Sequence, residues 1–102
     1  MIASIEEHRA ELADLCRRHR VLRLALFGSA TRDDFDPQRS DFDFLVDFED
    51  LPPGLYADAY FGLLDSLERL LGRPVDLVVG SAIKNPYFKQ AVEQTRALVY
   101  AA

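Results

Sequence analysis

Two aspartates set for a β-strand open the chemical reading of this 102-residue sequence. In Asp41-Phe42-Asp43 the carboxylates recur at the side-chain period of a strand, so both point to one side, roughly 7 Å apart. Left ionised and partly buried they would repel, raising the pKa of at least one, unless a divalent cation lies between them. Magnesium relieves that conflict. It prefers oxygen, takes one or two carboxylates from a protein, and fills its octahedron with water and substrate phosphates. Asp76 sits inside a third apolar run, and if that strand lies beside the strand of Asp43 a third carboxylate joins the face. Three carboxylates can hold two metals, one activating an attacking hydroxyl and the other neutralising departing phosphates. Gly28-Ser29, a spacer of eleven residues ahead of Asp41, follows a buried strand and suits a phosphate. Glycine permits close approach to the main chain, free N–H groups face the ligand, and the serine hydroxyl adds a hydrogen bond.

Each piece alone is weak. A Gly-Ser after a strand is most often a turn, and an Asp-x-Asp strand is usually a solvated face; a lone Asp in a buried-looking strand is rarer, because an unpaired charge there is costly. The ordered set is what carries information. Asp34-Phe35-Asp36 lacks the glycine and terminal glutamate of a calcium loop, and the segment around Gly28 has no Gly-Lys-Ser/Thr of a P-loop. His8 and His19 have no third ligand at helical spacing and read as surface residues.

These residues need a frame of strands backed by helices. Ser4 to about Arg18 carries Ile5, Leu12, Leu15 and Cys16 on one stripe, with Ser4 and Glu7 as a capping box. Val21 to Phe27 is a nearly continuous apolar run that stops at Gly28, as a strand covered on both faces would. From Asp41 to Phe48, Phe42, Phe44, Val46 and Phe48 take one face, while Asp41, Asp43, Leu45 and Asp47 take the other. Leu55 to Leu71 is an amphipathic helix ended by Gly72, with Tyr56, Tyr60, Leu63, Leu64, Leu67 and Leu71 inward and Asp58, Gly62, Asp65 and Arg69 opposite. Pro74 to Val79 is a third strand, Ile83 to Gln94 a shorter helix, and Ala97 to Tyr100 a possible last strand. The expected class is α/β, a small mixed sheet of three or four strands packed with helices.

Composition bounds the rest. With 49% hydrophobic and 28% charged residues, residues 1–102 read as one domain that buries roughly 60 to 70% of its unfolded surface. The net charge of -5 is local: Asp33 to Asp50 holds eight acids and one base, Arg39, so the remainder is slightly basic. An acidic chain of this kind lacks the counterion-release term that drives nucleic-acid binding, and no direct contact with nucleic acid is expected. Six of the eight acids read as solvated loop or strand-end residues. One cysteine, Cys16, allows neither a disulfide nor a thiolate zinc site, and it is expected to be buried or half-buried. Neither a secretory signal nor a membrane span is evident, which makes a reducing cytoplasm the expected compartment.

Leu26-Phe27-Gly28-Ser29, Arg39-Ser40-Asp41-Phe42-Asp43-Phe44-Leu45-Val46 and Val75-Asp76-Leu77-Val78 closely resemble the minimal nucleotidyltransferases of the DNA polymerase beta superfamily. That group includes the antitoxin partners of HEPN toxins. The likeness runs along nearly the whole chain, through Asn85-Pro86-Tyr87-Phe88 to the closing Val99-Tyr100. It implies the polymerase beta-like nucleotidyltransferase fold, with Gly28 and Ser29 on the terminal phosphates of a nucleoside triphosphate. Asp41, Asp43 and Asp76 would form the catalytic and metal-binding triad for two magnesium ions, with ATP as substrate. Asp76 would also help deprotonate the attacking hydroxyl. Where many relatives read Gly-Ser-x-x-Arg-Gly, this chain has Arg32 followed by Asp33, an acid near the triphosphate that either weakens nucleotide binding or caps the next turn.

A chain this short leaves no room for the helical domain that larger nucleotidyltransferases close over the nucleotide, so a partner is expected to supply that wall. The resemblance implies a small all-helical HEPN toxin silenced by transfer of AMP to its tyrosine, in a hetero-oligomer, with a homodimer of this chain alone also open. Two alternatives belong to other classes: an antitoxin that neutralises by contact with its triad idle, and one subunit of a two-chain enzyme modifying a small molecule such as an aminoglycoside. Phe61 is an exposed apolar position at the fringe of its helix and a candidate contact.

Overall fold

The computed structural model describes residues 3–28, 36 and 41–102. Two short helices, α1 (Ala3–Glu7) and α2 (Arg9–Arg18), lead into strand β1 (Val21–Phe27). Then come β2 (Phe42–Phe48), α3 (Pro53–Leu71), β3 (Val75–Val79), a 3₁₀ turn (Gly80–Ala82), α4 (Pro86–Thr95) and β4 (Ala97–Ala101). The four strands form one sheet in the order β3-β2-β1-β4. β1 runs antiparallel to both β2 and β4, whereas β2 and β3 are parallel, joined by the α3 crossover that a parallel pair requires. The mixed α/β class holds, and the last strand exists.

Sequence period dictates the two layers. Phe42, Phe44 and Val46 of β2 and Leu24 and Leu26 of β1 bury under α1, α2 and α3, against Ile5, Leu12, Leu63 and Leu67. On the other face Ala25, Phe27 and Leu45 bury under Val92 of α4, with Val78 and Ile83 alongside. The run Val21–Phe27 is apolar but for Arg23, and from Leu24 to Phe27 both of its faces are covered. Gly72 ends α3 as expected, with a left-handed φ of +67° and its N–H on the Glu68 carbonyl. No helix among the described residues is long and apolar enough to cross a membrane.

Several boundaries differ from the sequence reading. The first helix breaks at His8, where the amide bonds to the Ile5 carbonyl three residues back and closes a tight turn. Ser4 lies inside α1, so no capping box forms there. α3 starts at Pro53, whose fixed φ suits a first helical position, and α4 starts at Pro86 behind Asn85. The Asn85 side chain caps α4 by accepting the N–H groups of Tyr87 and Phe88. His19 is half-buried rather than simply a surface residue. Its ring lies against Gly62, where a Cβ would fall 2.8 Å from Cε1, and near the Ser66 hydroxyl at 3.4 Å. Burial, then neighbouring Arg18, holds the imidazole below its ordinary pKa. Asp47 is not simply solvated either, since its carboxylate pairs with Arg23 at 2.9 Å. Phe61 is 65% exposed, as read.

Cys16 is fully buried, and burial pushes its thiol from an ordinary 9.0 up to about 12. Between those values the unfolded chain holds fewer protons than the folded one, so stability falls as pH rises through that window. Urea melts of the wild type should weaken from pH 9 upward more steeply than those of Cys16→Ala, and a thiol reagent at pH 8 should label the native protein only slowly.

Candidate active site

Three of the expected site residues, Gly28, Asp43 and Asp76, come from three neighbouring strand ends at one end of the sheet. β1 ends at Phe27, which faces Asp43 across the antiparallel ladder, and Asp43 faces Asp76 across the parallel one. Side-by-side residues of a ladder share a face, so the carboxylates of Asp43 and Asp76 both emerge on the α4 side, from strands about 4.8 Å apart. Directly past β1, Gly28 takes a left-handed φ of +65°. A Cβ there would fall 2.7 Å from Asp43 Oδ2, so the carboxylate rests where only a hydrogen of glycine fits. Sequence spacing alone left the Asp43–Asp76 pairing conditional; the register supplies it.

Asp41 behaves differently from Asp43. β2 begins at Phe42, one residue later than expected, so the pleat does not fix the Asp41 side chain. Its Oδ1 lies 3.4 Å from Nη2 of Arg73, which the sequence reading did not single out. A base lodged between a helix-ending glycine and a proline, three residues before Asp76, was the signal available. Among the described residues no three Asp, Glu, His or Cys side chains converge closely enough to hold a metal as they stand. Ser29, Arg32 and Asp33 lie outside the described residues. The donor set nevertheless suits a hard cation, being carboxylate oxygen throughout.

Surroundings distinguish this edge from other concavities. Phe88, in the first turn of α4, meets the Phe27 ring edge-on at 6.2 Å, closing the apolar floor beside Gly28. A polar cleft of about 210 Å³ continues along the same face past Leu45 to Arg23, Asp47 and Lys89. A larger groove of about 570 Å³, between α2 and α3, opens on the opposite face and includes none of the candidate residues. Volume and chemistry therefore part company here. The carboxylate edge is the better candidate because charge, register and the Gly28 approach coincide there.

Residues 8–99 match the family model described as a nucleotidyltransferase domain. The chain belongs to the nucleotidyltransferase family. Among its relatives, a Methanocaldococcus jannaschii protein named provisionally as a protein adenylyltransferase is 40% identical over 93 residues, covering 83% of this chain and 91% of the relative. The protein adenylyltransferase MntA of Thermococcus cleftensis is 37% identical over 87 residues, covering 85% of this chain and 81% of the relative. A solved structure described provisionally as a minimal nucleotidyltransferase superposes with a TM-score of 0.73 at 32% identity, over 90% of this nucleotidyltransferase and 89% of that chain. Similarity of fold extends to an MNT antitoxin in complex with a tri-AMPylated Shewanella oneidensis HEPN toxin, at a TM-score of 0.65 and 21% identity, over 96% and 73% of the two chains.

Proposed function

We propose that this nucleotidyltransferase transfers AMP from ATP to a hydroxyl, a tyrosine, of a small helical HEPN-type partner, and so acts as its antitoxin. The pairing of Asp43 with Asp76, with Gly28 seated on the Asp43 carboxylate, carries the reading, and the adenylyltransferase names of the relatives give the group transferred. Asp41, Asp43 and Asp76 would hold two magnesium ions, and Gly28 with Ser29 would hold the terminal phosphates. The bound cations supply neutralisation of phosphate charge and a lower hydroxyl pKa.

The chain's own residues do the rest. Gly28 sets the phosphates against the main chain, and Asp76 accepts the proton of the acceptor hydroxyl. The hydroxyl oxygen forms a bond to the α-phosphorus while the bond to the bridging oxygen of the β-phosphate breaks in line, and pyrophosphate leaves with that electron pair. Positioning and charge neutralisation account for most of such a rate enhancement. The protein works in the cytoplasm in this reading, in a hetero-oligomer with its target.

Incubating the protein with α-labelled ATP, magnesium and the helical protein that co-purifies with it should label that partner, with mass increments of AMP on tyrosine. Absence of labelling with every nucleoside triphosphate would overturn the enzymatic reading. Protection of cells by an Asp43→Ala variant at wild-type strength would assign the antitoxin effect to contact alone.

A further inference from the structure

Arg73 stands at Asp41 although nothing in the phosphate or metal chemistry above required a base there. Its Nη2 lies 3.4 Å from Asp41 Oδ1, and its side chain is only 26% exposed, against 61% for Asp41. The backbone presenting it is fixed on both sides. Before it, Gly72 is left-handed and its N–H returns to the Glu68 carbonyl at 2.9 Å. After it, Pro74 fixes its own φ and its carbonyl accepts the Phe42 N–H at 3.2 Å. Glu68 Oε2 accepts the Val75 N–H at 3.0 Å. The turn from α3 to β3 is thereby tied to the first residue of β2, and Arg73 is held opposite Asp41.

We propose that Arg73 is a positioning residue that takes the place of a divalent cation beside Asp41 in the free protein, so that metal enters with the nucleotide and not before it. The inference rests on Asp41 being a metal ligand. A guanidinium keeps its charge at every working pH, so it competes with a free ion for the same carboxylate. A metal already coordinated by triphosphate oxygens needs fewer protein ligands and depends less on that competition. The ion pair thus tunes the order of binding through Asp41.

The test uses Mn²⁺ alone, without nucleotide, with the free ion followed by its paramagnetic resonance signal. Arg73→Gln should bind Mn²⁺ about two- to fivefold more tightly than the wild type, the range set by a partly exposed ion pair. Arg73→Met serves as a second charge-removing variant should the first fail to fold by circular dichroism. Arg73→Lys, which keeps the charge, should stay near wild type; tightening equal to that of Arg73→Gln would overturn the electrostatic role. Asp41→Asn separates the two claims. If it leaves Mn²⁺ binding intact, Asp41 is no ligand and the parent reading of the site fails. If it weakens binding while Arg73→Gln and Arg73→Met leave affinity unchanged or lower, the role given to Arg73 is wrong and the parent reading stands.

Discussion

Asp43→Asn should leave a folded protein whose nucleotidyl transfer is slower by at least about 10²- to 10³-fold, the cost of removing one preorganised electrostatic group from a transition state. Asparagine has nearly the same volume, so the side chain can remain between Gly28 and Asp76. What it loses is a charge and one anionic oxygen. Stability should move the other way. Two carboxylates directly opposite on a ladder repel, and relieving them is worth up to about 1 kcal/mol. At low salt and without metal the melting temperature of Asp43→Asn should therefore hold or rise, and added salt should shrink the difference. Single-turnover transfer to the partner, read beside thermal melts at two ionic strengths, checks both halves. A variant that transfers at the wild-type rate removes Asp43 from the site, and one that melts far lower makes it a structural residue.

That pairing of opposite effects is what a metal site at these strand ends predicts, and the fold explains why Gly28, Asp43 and Asp76 meet there. Gly28 lies one residue past the end of β1, and Asp43 and Asp76 are the second residues of β2 and β3. β1 runs against the other two strands, so its end and their beginnings meet. Chain reversal therefore brings Gly28 together with the two carboxylates without a dedicated domain.

The local half of this picture was legible in the sequence. Alternation from Phe42 to Phe48 placed Asp43 off the core face, and the nearly continuous Val21–Phe27 run announced a strand covered twice. Gly72 marked the end of α3. The Asn85-Pro86 pair, an N-cap followed by a first-turn proline, also carried the start of α4, though periodicity alone drew that helix from Ile83. The non-local half was not legible. No period in the chain states that β3 lies parallel to β2 in the register that sets Asp76 beside Asp43. Asp41 shows the same limit: spacing made it the twin of Asp43, but the strand begins one residue later and Arg73, 32 positions away, draws its carboxylate. The break at His8 has neither glycine nor proline to mark it.

Gly28→Ala should damage stability and transfer together, for two separable reasons. A φ of +65° is left-handed, and a side chain there costs about 1 to 3 kcal/mol, roughly 5 to 15 °C in melting temperature for a domain of this size. The added methyl would also stand 2.7 Å from Asp43 Oδ2, so the carboxylate must swing away or the main chain at Gly28 must shift. Either displacement, of the order of 1 Å, should lower transfer about 10²-fold. A double-mutant cycle isolates the steric part. Asp43→Ala removes the atoms that the methyl would strike, so Gly28→Ala should destabilise the Asp43→Ala background less than it destabilises the wild type. The residual loss would measure the left-handed backbone alone. Transfer should stay absent in the double variant, since space without a carboxylate restores no chemistry. Strict additivity of the two melting shifts would mean that Gly28 serves the turn and not Asp43, and the close approach would lose its place in the site.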